Sequence, residues 1–406
     1  MEKKTNSCVH EQKATVHFLI RDLEKRRYLR SMKRKIARKL HEHLFSIGFQ
    51  KDDKGRIVAP KGDKETVRRC HWAQRREKHK KEESFIRENL PQLLKYFASG
   101  NEVVPTKIHP EIILVNSGSE EALLFRLAAL TWSIPVSEGY GRRMRFIVWD
   151  KYNGKLLGLI AIGDPVFNLN ARDDKIGWSA ADRRDRLVNI MDAYVLGALP
   201  PYNMLLGGKL IASLVRTQEI KNHFSSRYKF SRGLISGKKK YPDLLLVTTT
   251  SALGKSSIYN RLIVNGVKYF EPVGYTMGYG HFHVPDDIFN DMREYLKAAH
   301  HHYYNDNRYG GGPNWKFRAI RATLDSIGMD RDILFHGIRR EVYICKMARN
   351  AYEILQGSSG PACYDDLLSV NDVSRLAIER WVVPRSLRNQ EFRAWGKENI
   401  EKLIYS

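Results

Sequence analysis

A phosphate-binding loop is the first chemistry that the sequence suggests. The stretch from residue 243 to 257, DLLLVTTTSALGKSS, ends an apolar run with Gly254-Lys255-Ser256, the residues that close such a loop. A complete loop also needs a glycine five residues before Gly254, and Thr249 stands there. We therefore predict no NTPase, but a strand, a turn and a helix near Ser256 whose free N–H groups, together with Lys255, favour an anion. A serine at a helix start also stabilises the fold without any ligand.

Two short polar motifs raise the question of metal-assisted catalysis. Asp173 and Asp174 follow an apolar strand, a place where sites are often built, and adjacent acids can act as a base or hold a cation. His281 and His283 stand two residues apart, which on a strand puts both rings on one face. No third ligand follows at a motif spacing, so we predict no metal site. Two alternatives stay open: a nuclease that uses these acids and histidines, or a structural ion pair between Arg172 and a neighbouring acid together with two turn histidines.

A third motif is similar to the cofactor turn of GNAT acetyltransferases. Residues 275–280, YTMGYG, fit a Q/R-x-x-G-x-G/A pattern except that Tyr275 replaces Gln or Arg. The helix that normally follows this turn is missing, because HFHVPDD intervenes. A GNAT-like transferase is therefore an alternative only, and we predict no cofactor.

Net charge gives the broadest functional indication. The chain of 406 residues carries a formal charge of +24, and residues 1–100 hold 27 Lys and Arg against 13 Asp and Glu. A nucleic acid is the simplest partner for such a chain, because each neutralised phosphate releases condensed counterions. The alternatives are a basic face that only meets solvent, and a scaffold that docks acidic partner proteins.

Residues 21–48 predict an amphipathic helix that carries much of this charge. Apolar side chains from Leu29 to Ile47 recur at steps of three and four, the other face is rich in Lys and Arg, and Gly48 occupies the usual C′ position. The cations that we predict to contact phosphate are Lys25, Arg26, Arg30, Lys33, Arg34, Arg38, Arg172, Lys209 and Lys255.

The fold predicted from these patterns is α+β. It has a basic helical region at 1–100, a central mixed α/β sheet domain at 101–290, for which a GNAT-like fold is an alternative, and a helical region at 291–406. Asn153-Gly154 between two β-rich arms predicts a hairpin. Residues 164–178 are expected to continue the sheet, and residues 180–201 are predicted to form a helix that Gly197 and Pro200 end.

Several classes of protein are not supported by the sequence. No run of 18 apolar residues exists and the N-terminus lacks a signal-peptide core, so we predict no membrane contact and a cytoplasmic protein. The four cysteines form no CxxC pair, which argues against a zinc ribbon or a disulfide framework. No G-x-S-x-G motif selects a nucleophilic serine.

The middle third of the chain resembles a known bacterial family. The segments GRRMRFIVWD, ARDDKIGWSAADRRDRL, LPPYNMLLGGKLIASL and GYTMGYGHFHVP, in this order and spacing, are similar to the family named after DruA of the Druantia anti-phage defence system. The resemblance implies a component of a multi-gene antiviral system that works beside a large helicase-like protein and other Druantia components. It implies no settled chemistry and no catalytic set of residues.

Overall fold

The fold is described from a computed structural model of the chain. It describes residues 2–60, 64–136, 141–232, 239–240, 242–305 and 313–405. The chain forms two compact units, each built from two segments: the first from Met1–Glu77 and Gly278–Gly337, the second from Lys78–Met277 and Ile338–Ser406. The second unit runs across the predicted boundary at residue 100 and the first across the one at residue 290. The predicted three-domain division stays a prediction.

Helices make up most of the first unit and surround the sheet of the second. In chain order they are α1 Glu2–Ser46, α2 Lys64–Leu93, α3 Glu120–Ala129, α4 Asn170–Ile176, α5 Ala180–Arg186, α6 Gly207–Leu214, α7 Gln218–Tyr228, α8 Asp286–Ala298, α9 Pro313–Ile327, α10 Ala351–Gln356, α11 Val370–Ala377, α12 Val383–Arg388 and α13 Asn399–Tyr405. A π-helical segment, Ile378–Val382, joins α11 to α12.

Within the described residues the strands form one large sheet and three two-stranded sheets. They are β1 Gln50–Lys51, β2 Ile57–Val58, β3 Pro110–Leu114, β4 Arg143–Asp150, β5 Lys155–Gly163, β6 Ile190–Ala198, β7 Ser231–Arg232, β8 Lys239–Lys240, β9 Leu246–Thr250, β10 Ile263–Val264, β11 Val267–Lys268, β12 Glu271–Tyr275 and β13 Glu341–Lys346. The large sheet has the order β12-β13-β9-β6-β5-β4-β3, antiparallel except where β6 pairs with β9. The mixed α and β fold predicted from the sequence is confirmed.

The core of the first unit lies between α1, α8 and α9. Helix α1 buries Ile36, Leu40 and Leu44 completely, and these side chains join a cluster that includes Met292 of α8 and Leu324 of α9. The helix ends before Gly48, whose φ of +97° is the left-handed conformation that favours glycine at C′. The amphipathic helix and its end are therefore confirmed.

The sheet of the second unit is covered on both faces. Side chains alternate across β13, so that Tyr343 faces the cluster of α6, α7 and α11, whereas Ile344 faces the cluster of α4 and α10. The predicted hairpin is confirmed, since β4 and β5 pair antiparallel around it. Of Asn153 and Gly154 only Gly154 takes a positive φ, +66°, and the Asn153 Oδ1 accepts a hydrogen bond from the Lys155 N–H.

Three local predictions are wrong. Residues 180–201 contain the short helix α5 followed by the strand β6, because the apolar run after Asn189 is hydrogen-bonded between β5 and β9. Residues 164–178 do not extend the sheet but contain α4, which Gly177 ends at φ +80°. No α-helix starts near Ser256, and only a 3₁₀ turn at Tyr259–Arg261 follows the loop.

Two further predictions concern membrane-spanning helices and the cysteines. Among the described residues, no helix is long and apolar enough to cross a membrane. Cys70 and Cys345 are buried thiols and Cys363 is partly exposed, all three without a disulfide, whereas the side chain of Cys8 lies outside the described part of the chain.

Candidate functional site

Helix α1 presents a continuous line of arginines to solvent. Arg27, Arg30, Arg34 and Arg38 follow one another at steps of three and four residues, so their Cα atoms lie within roughly 80° of the helix circumference. All four are exposed and lie away from the buried stripe around Ile36. We call these four residues the arginine stripe. Arg27 was not among the predicted residues, although its spacing was visible in the sequence.

The predicted cations of α1 differ in how far they are already engaged. Arg30 and Arg34 make no ion pair with any residue that the structure describes. Arg26 pairs with Asp22 at 2.8 Å, one helical turn away. Arg30 and Arg34 are therefore free to bind an external anion, whereas Arg26 would first have to leave Asp22.

Two of the remaining predicted cations of α1 contact the chain itself. Arg38 pairs with Glu42 at 2.9 Å on the exposed surface. Lys33 donates a hydrogen bond through Nζ to the backbone oxygen of Ser326. Lys25 is half-buried. Because a surface pair in water is weak, Arg38 can exchange Glu42 for a phosphate at small cost.

Two other lysines of α1 have a structural role that the sequence did not reveal. Lys39 Nζ lies 2.8 Å from an Asp291 carboxylate oxygen and 3.3 Å from Asp287, and Lys35 Nζ lies 2.7 Å from Asp291. The hydrogen bond to Asp291 is the main cause that raises the pKa of Lys39. These pairs join α1 to α8, so Lys35 and Lys39 stabilise the first unit, and the arginine stripe remains the solvent-facing charge.

His281 and His283 lie in the first unit, in a turn before α8. His283 is buried, its Nε2 lies 2.8 Å from the Ile333 backbone oxygen, and its ring stacks on Phe49. Burial lowers the pKa of both histidines to about 4, so both are neutral at pH 7. Among the described residues, no three His, Cys, Asp or Glu side chains are placed to hold a metal ion.

Asp173 lies in the second unit within a buried ion cluster. Arg172 is fully buried, and its Nε donates to Asp173 at 2.8 Å while its two Nη atoms donate to the Val166 and Phe167 backbone oxygens, each at 2.9 Å. Arg183 donates to the other Asp173 oxygen at 2.9 Å. Burial lowers the pKa of Arg172. This arrangement matches the structural ion-pair alternative and holds the loop before α4 in place.

Asp174 and the other predicted cations are not grouped with that cluster. Asp174 is exposed on α4, and Lys255 is exposed in the loop after β9. Lys209 belongs to α6, which packs on the sheet face of Tyr343, whereas α4 packs on the face of Ile344. Arg172 and Lys209 therefore lie on opposite faces of the sheet. Neither compact unit contains both the acids and the histidines of the predicted nuclease site.

The loop after β9 is fixed by a buried polar network. Tyr343 Oη donates a very short hydrogen bond to Glu341 and accepts others from the Ser256 N–H at 3.1 Å and the Asn260 Nδ2 at 2.9 Å. Gly254 accepts a hydrogen bond from the Glu341 N–H at 2.9 Å. The Ser256 N–H is thus already satisfied inside the protein, and with no helix behind it the predicted anion site loses its main donors.

Asp192 is a perturbed acid that the sequence analysis missed. It stands on β6, keeps a small exposed surface, and accepts a hydrogen bond from Thr248 Oγ1 at 2.7 Å. Burial raises its pKa to about 6, while Thr248 and the charge of Arg172 oppose the shift. An acid inside the apolar run NIMDAYVLG was the available signal, but that run had been assigned to a helix.

Comparison with known proteins gives the family. The family described as Druantia protein DruA matches residues 61–357. The Druantia protein DruA of Escherichia coli (strain UMEA 4076-1) is 51% identical over 370 residues, which cover 91% of this chain and 92% of that protein. No solved structure matches. These matches confirm the family predicted from the central motifs and its role as a component of Druantia anti-phage defence. The chain belongs to the Druantia protein DruA family.

Proposed function

We propose that this chain is the component of a Druantia defence system that holds nucleic acid by its phosphate backbone. The observation that carries the proposal is the arginine stripe, in which Arg27, Arg30 and Arg34 are exposed and form no ion pair with any described residue. Guanidinium groups bind phosphate oxygens in a bidentate manner and stay charged at every physiological pH. Such contacts position a protein on nucleic acid and read no base sequence.

The helix geometry supports this assignment. The buried face of α1 is held against α8 and α9, so the arginine stripe is carried by a rigid element. Successive arginines rise by about 4.5 to 6 Å along the helix, a spacing that lets each reach a different phosphate. The proposal covers duplex and single strands alike, because backbone contacts are common to both.

The proposed partners follow from family membership. Other Druantia proteins, including a large helicase-like component, would meet this chain on the nucleic acid that it holds. The proposal therefore places the chain in the cytoplasm, where phage nucleic acid is exposed. A purely protein-binding scaffold remains the competing proposal, and it predicts that partners stay bound after nuclease treatment.

A metal-assisted nuclease is less well supported as the function. Asp173 is paired with two guanidinium groups, and their positive charge opposes the approach of a metal cation. The GNAT-like alternative lacks its helix, because α8 begins at Asp286, beyond the Gly278 to Gly280 turn.

Fluorescence anisotropy with labelled duplex and single-stranded oligonucleotides tests the proposal. For the full-length protein, log K should fall steeply and linearly with log salt, as expected when phosphates are neutralised. Binding that does not change between low and high salt would refute it. Equal affinity for several unrelated sequences is expected, since no base contact is proposed.

A further inference from the structure

A π-helical segment shapes a cavity in the second unit. Residues Ile378–Val382 interrupt what would otherwise be one helix from α11 to α12, and π turns are rare and are frequently found at functional sites. Beside this segment lies a cavity of about 340 Å³, within the size range of small-ligand sites. Its other wall is the β10–β11 hairpin, where Asn265 and Gly266 form a tight turn with φ of +46° and +75°.

Arg380 lines this cavity, and two further cations lie near its wall: Lys209 beside Trp381, and Arg261, whose charge acts on Lys209. Lys209 Nζ lies 5.3 Å from the centre of the Trp381 ring, and Arg380 Cζ lies 5.9 Å from that ring. Arg380 also donates through Nη1 to the Ile263 backbone oxygen at 3.1 Å, which fixes the guanidinium in the cavity wall. Partial burial, then the charges of Arg261 and Arg380, lower the pKa of Lys209.

These cations are not neutralised within the chain. Lys209, Arg261 and Arg380 form no ion pair with a described residue. Glu379 also lines the cavity, but it is exposed and pairs with Arg375 at 3.8 Å. Like charges held close together raise the free energy of the folded protein unless an anion joins them. The cluster therefore favours a ligand that carries a phosphate.

The rest of the cavity wall is mainly apolar. Ile263, Val264 and Leu376 line it together with Trp381, which is almost completely buried. An apolar wall beside fixed cations suits a ligand with a flat, weakly polar group joined to a phosphate. We propose that this cavity binds a nucleoside 5′-phosphate, with the phosphate on Lys209, Arg261 and Arg380 and the base against the apolar wall. The nucleoside phosphate is either a free nucleotide or the 5′ end of a strand.

Isothermal titration of the full-length protein tests this site directly. AMP, GMP, CMP and UMP are compared with inorganic phosphate and with a trinucleotide that has or lacks a 5′-phosphate. At least one nucleotide should bind with a Kd below about 1 mM and more tightly than phosphate. Tighter binding of the 5′-phosphorylated trinucleotide than of any mononucleotide would assign the site to strand ends, and the reverse would assign it to free nucleotides. No binding of any nucleoside phosphate, or binding no tighter than phosphate, overturns the proposal.

Matched variants locate the binding. Arg380→Gln and Arg261→Gln should each weaken nucleotide binding by about tenfold or more. Arg388→Gln removes the same charge from an exposed position on α12 and should leave the Kd within about twofold. Thermal unfolding of each variant checks that the fold is kept. Equal loss in all three variants would mean a diffuse charge effect and would overturn the site. Neither Arg380→Gln nor Arg261→Gln should alter duplex binding by the arginine stripe, so failure here is separate from failure of the proposed function.

Discussion

Thr248 Oγ1 donates a 2.7 Å hydrogen bond to the Asp192 carboxylate across β9 and β6, the parallel pair of the large sheet. The two residues stand directly opposite each other in the register. This hydrogen bond stabilises the charged carboxylate, yet burial prevails and raises the Asp192 pKa to about 6. The sheet therefore contains an acid that takes up its proton near pH 6, well above the usual range of an aspartate.

Asp192→Asn should change the pH dependence of stability. The pKa of Asp192 is raised in the folded state, so the folded protein binds more protons than the unfolded chain between pH 4 and 6, and its stability falls as pH rises. Asn does not ionise, so at this position it gives no such dependence of stability on pH. The difference in the free energy of unfolding, variant minus wild type, should therefore rise by about 1 to 3 kcal/mol from pH 4 to pH 7. The rise is smaller if water reaches the site. Urea unfolding at several pH values measures this, and a constant difference would contradict it.

Removing the arginine stripe should weaken nucleic-acid binding without unfolding the protein. The triple change Arg27→Gln, Arg30→Gln and Arg34→Gln removes three phosphate contacts, so the slope of log K against log salt should become about 3 less negative for duplex DNA. Anisotropy titrations at several salt concentrations measure the slope. A control with Arg388→Gln, Arg393→Gln and Lys402→Gln removes the same charge from exposed positions in the second unit. If this control loses as much affinity, the stripe is not the interface.

Lys39 and Asp291 should be energetically coupled in the first unit. Asp291 receives hydrogen bonds from Lys35 and Lys39, which outweigh its burial and lower its pKa. The pair therefore contributes stability that is present above pH 4 and is lost as pH falls further. A double-mutant cycle with Lys39→Met and Asp291→Asn should give a coupling of about 0.5 to 1 kcal/mol at pH 7, because the lysine is partly exposed. A coupling of zero at low salt would show that the contact is not maintained in solution.

Tyr343→Phe should destabilise the second unit through the loop after β9. The change removes the hydroxyl that serves the Ser256 N–H, Asn260 and Glu341, and leaves polar groups without a partner in a buried place. The expected loss in the free energy of unfolding is about 2 to 3 kcal/mol. Tyr275→Phe, which removes a longer 3.4 Å contact to Glu341, is the matched control and should cost less than about 1 kcal/mol. Equal losses in both variants would argue against a central role for Tyr343.

The predicted nuclease residues should be dispensable for defence, and the protein should show no metal-dependent cleavage of DNA. Asp174→Ala and His281→Ala change residues that lie in different compact units, and we expect neither to alter protection against phage in cells that carry the whole system. Purified protein should cleave phage DNA with neither Mg²⁺ nor Mn²⁺. Cleavage that disappears in Asp174→Ala would restore the nuclease as the function.

The sequence was sufficient wherever local pattern decides the structure. The apolar steps of α1 and the C′ glycine Gly48 predicted that helix and its end, because periodicity and a left-handed φ depend only on neighbouring residues. The hairpin at Gly154 was likewise predicted from neighbouring residues alone. The order of short central motifs was enough to predict the family, which the relatives confirm.

Long-range pairing settled what the sequence left ambiguous. The run NIMDAYVLG fits a helix as well as a buried strand, and only its hydrogen bonds to β5 and β9 made it β6 and placed Asp192 inside the sheet. Side-chain alternation across that sheet put Arg172 and Lys209 on opposite faces, so residues that looked like one site are separated. Tertiary structure likewise brought Lys209 to Trp381 and Arg380, which stand far along the chain from it. Residues distant in sequence meet only when the whole core forms, and no spacing in the sequence records that meeting.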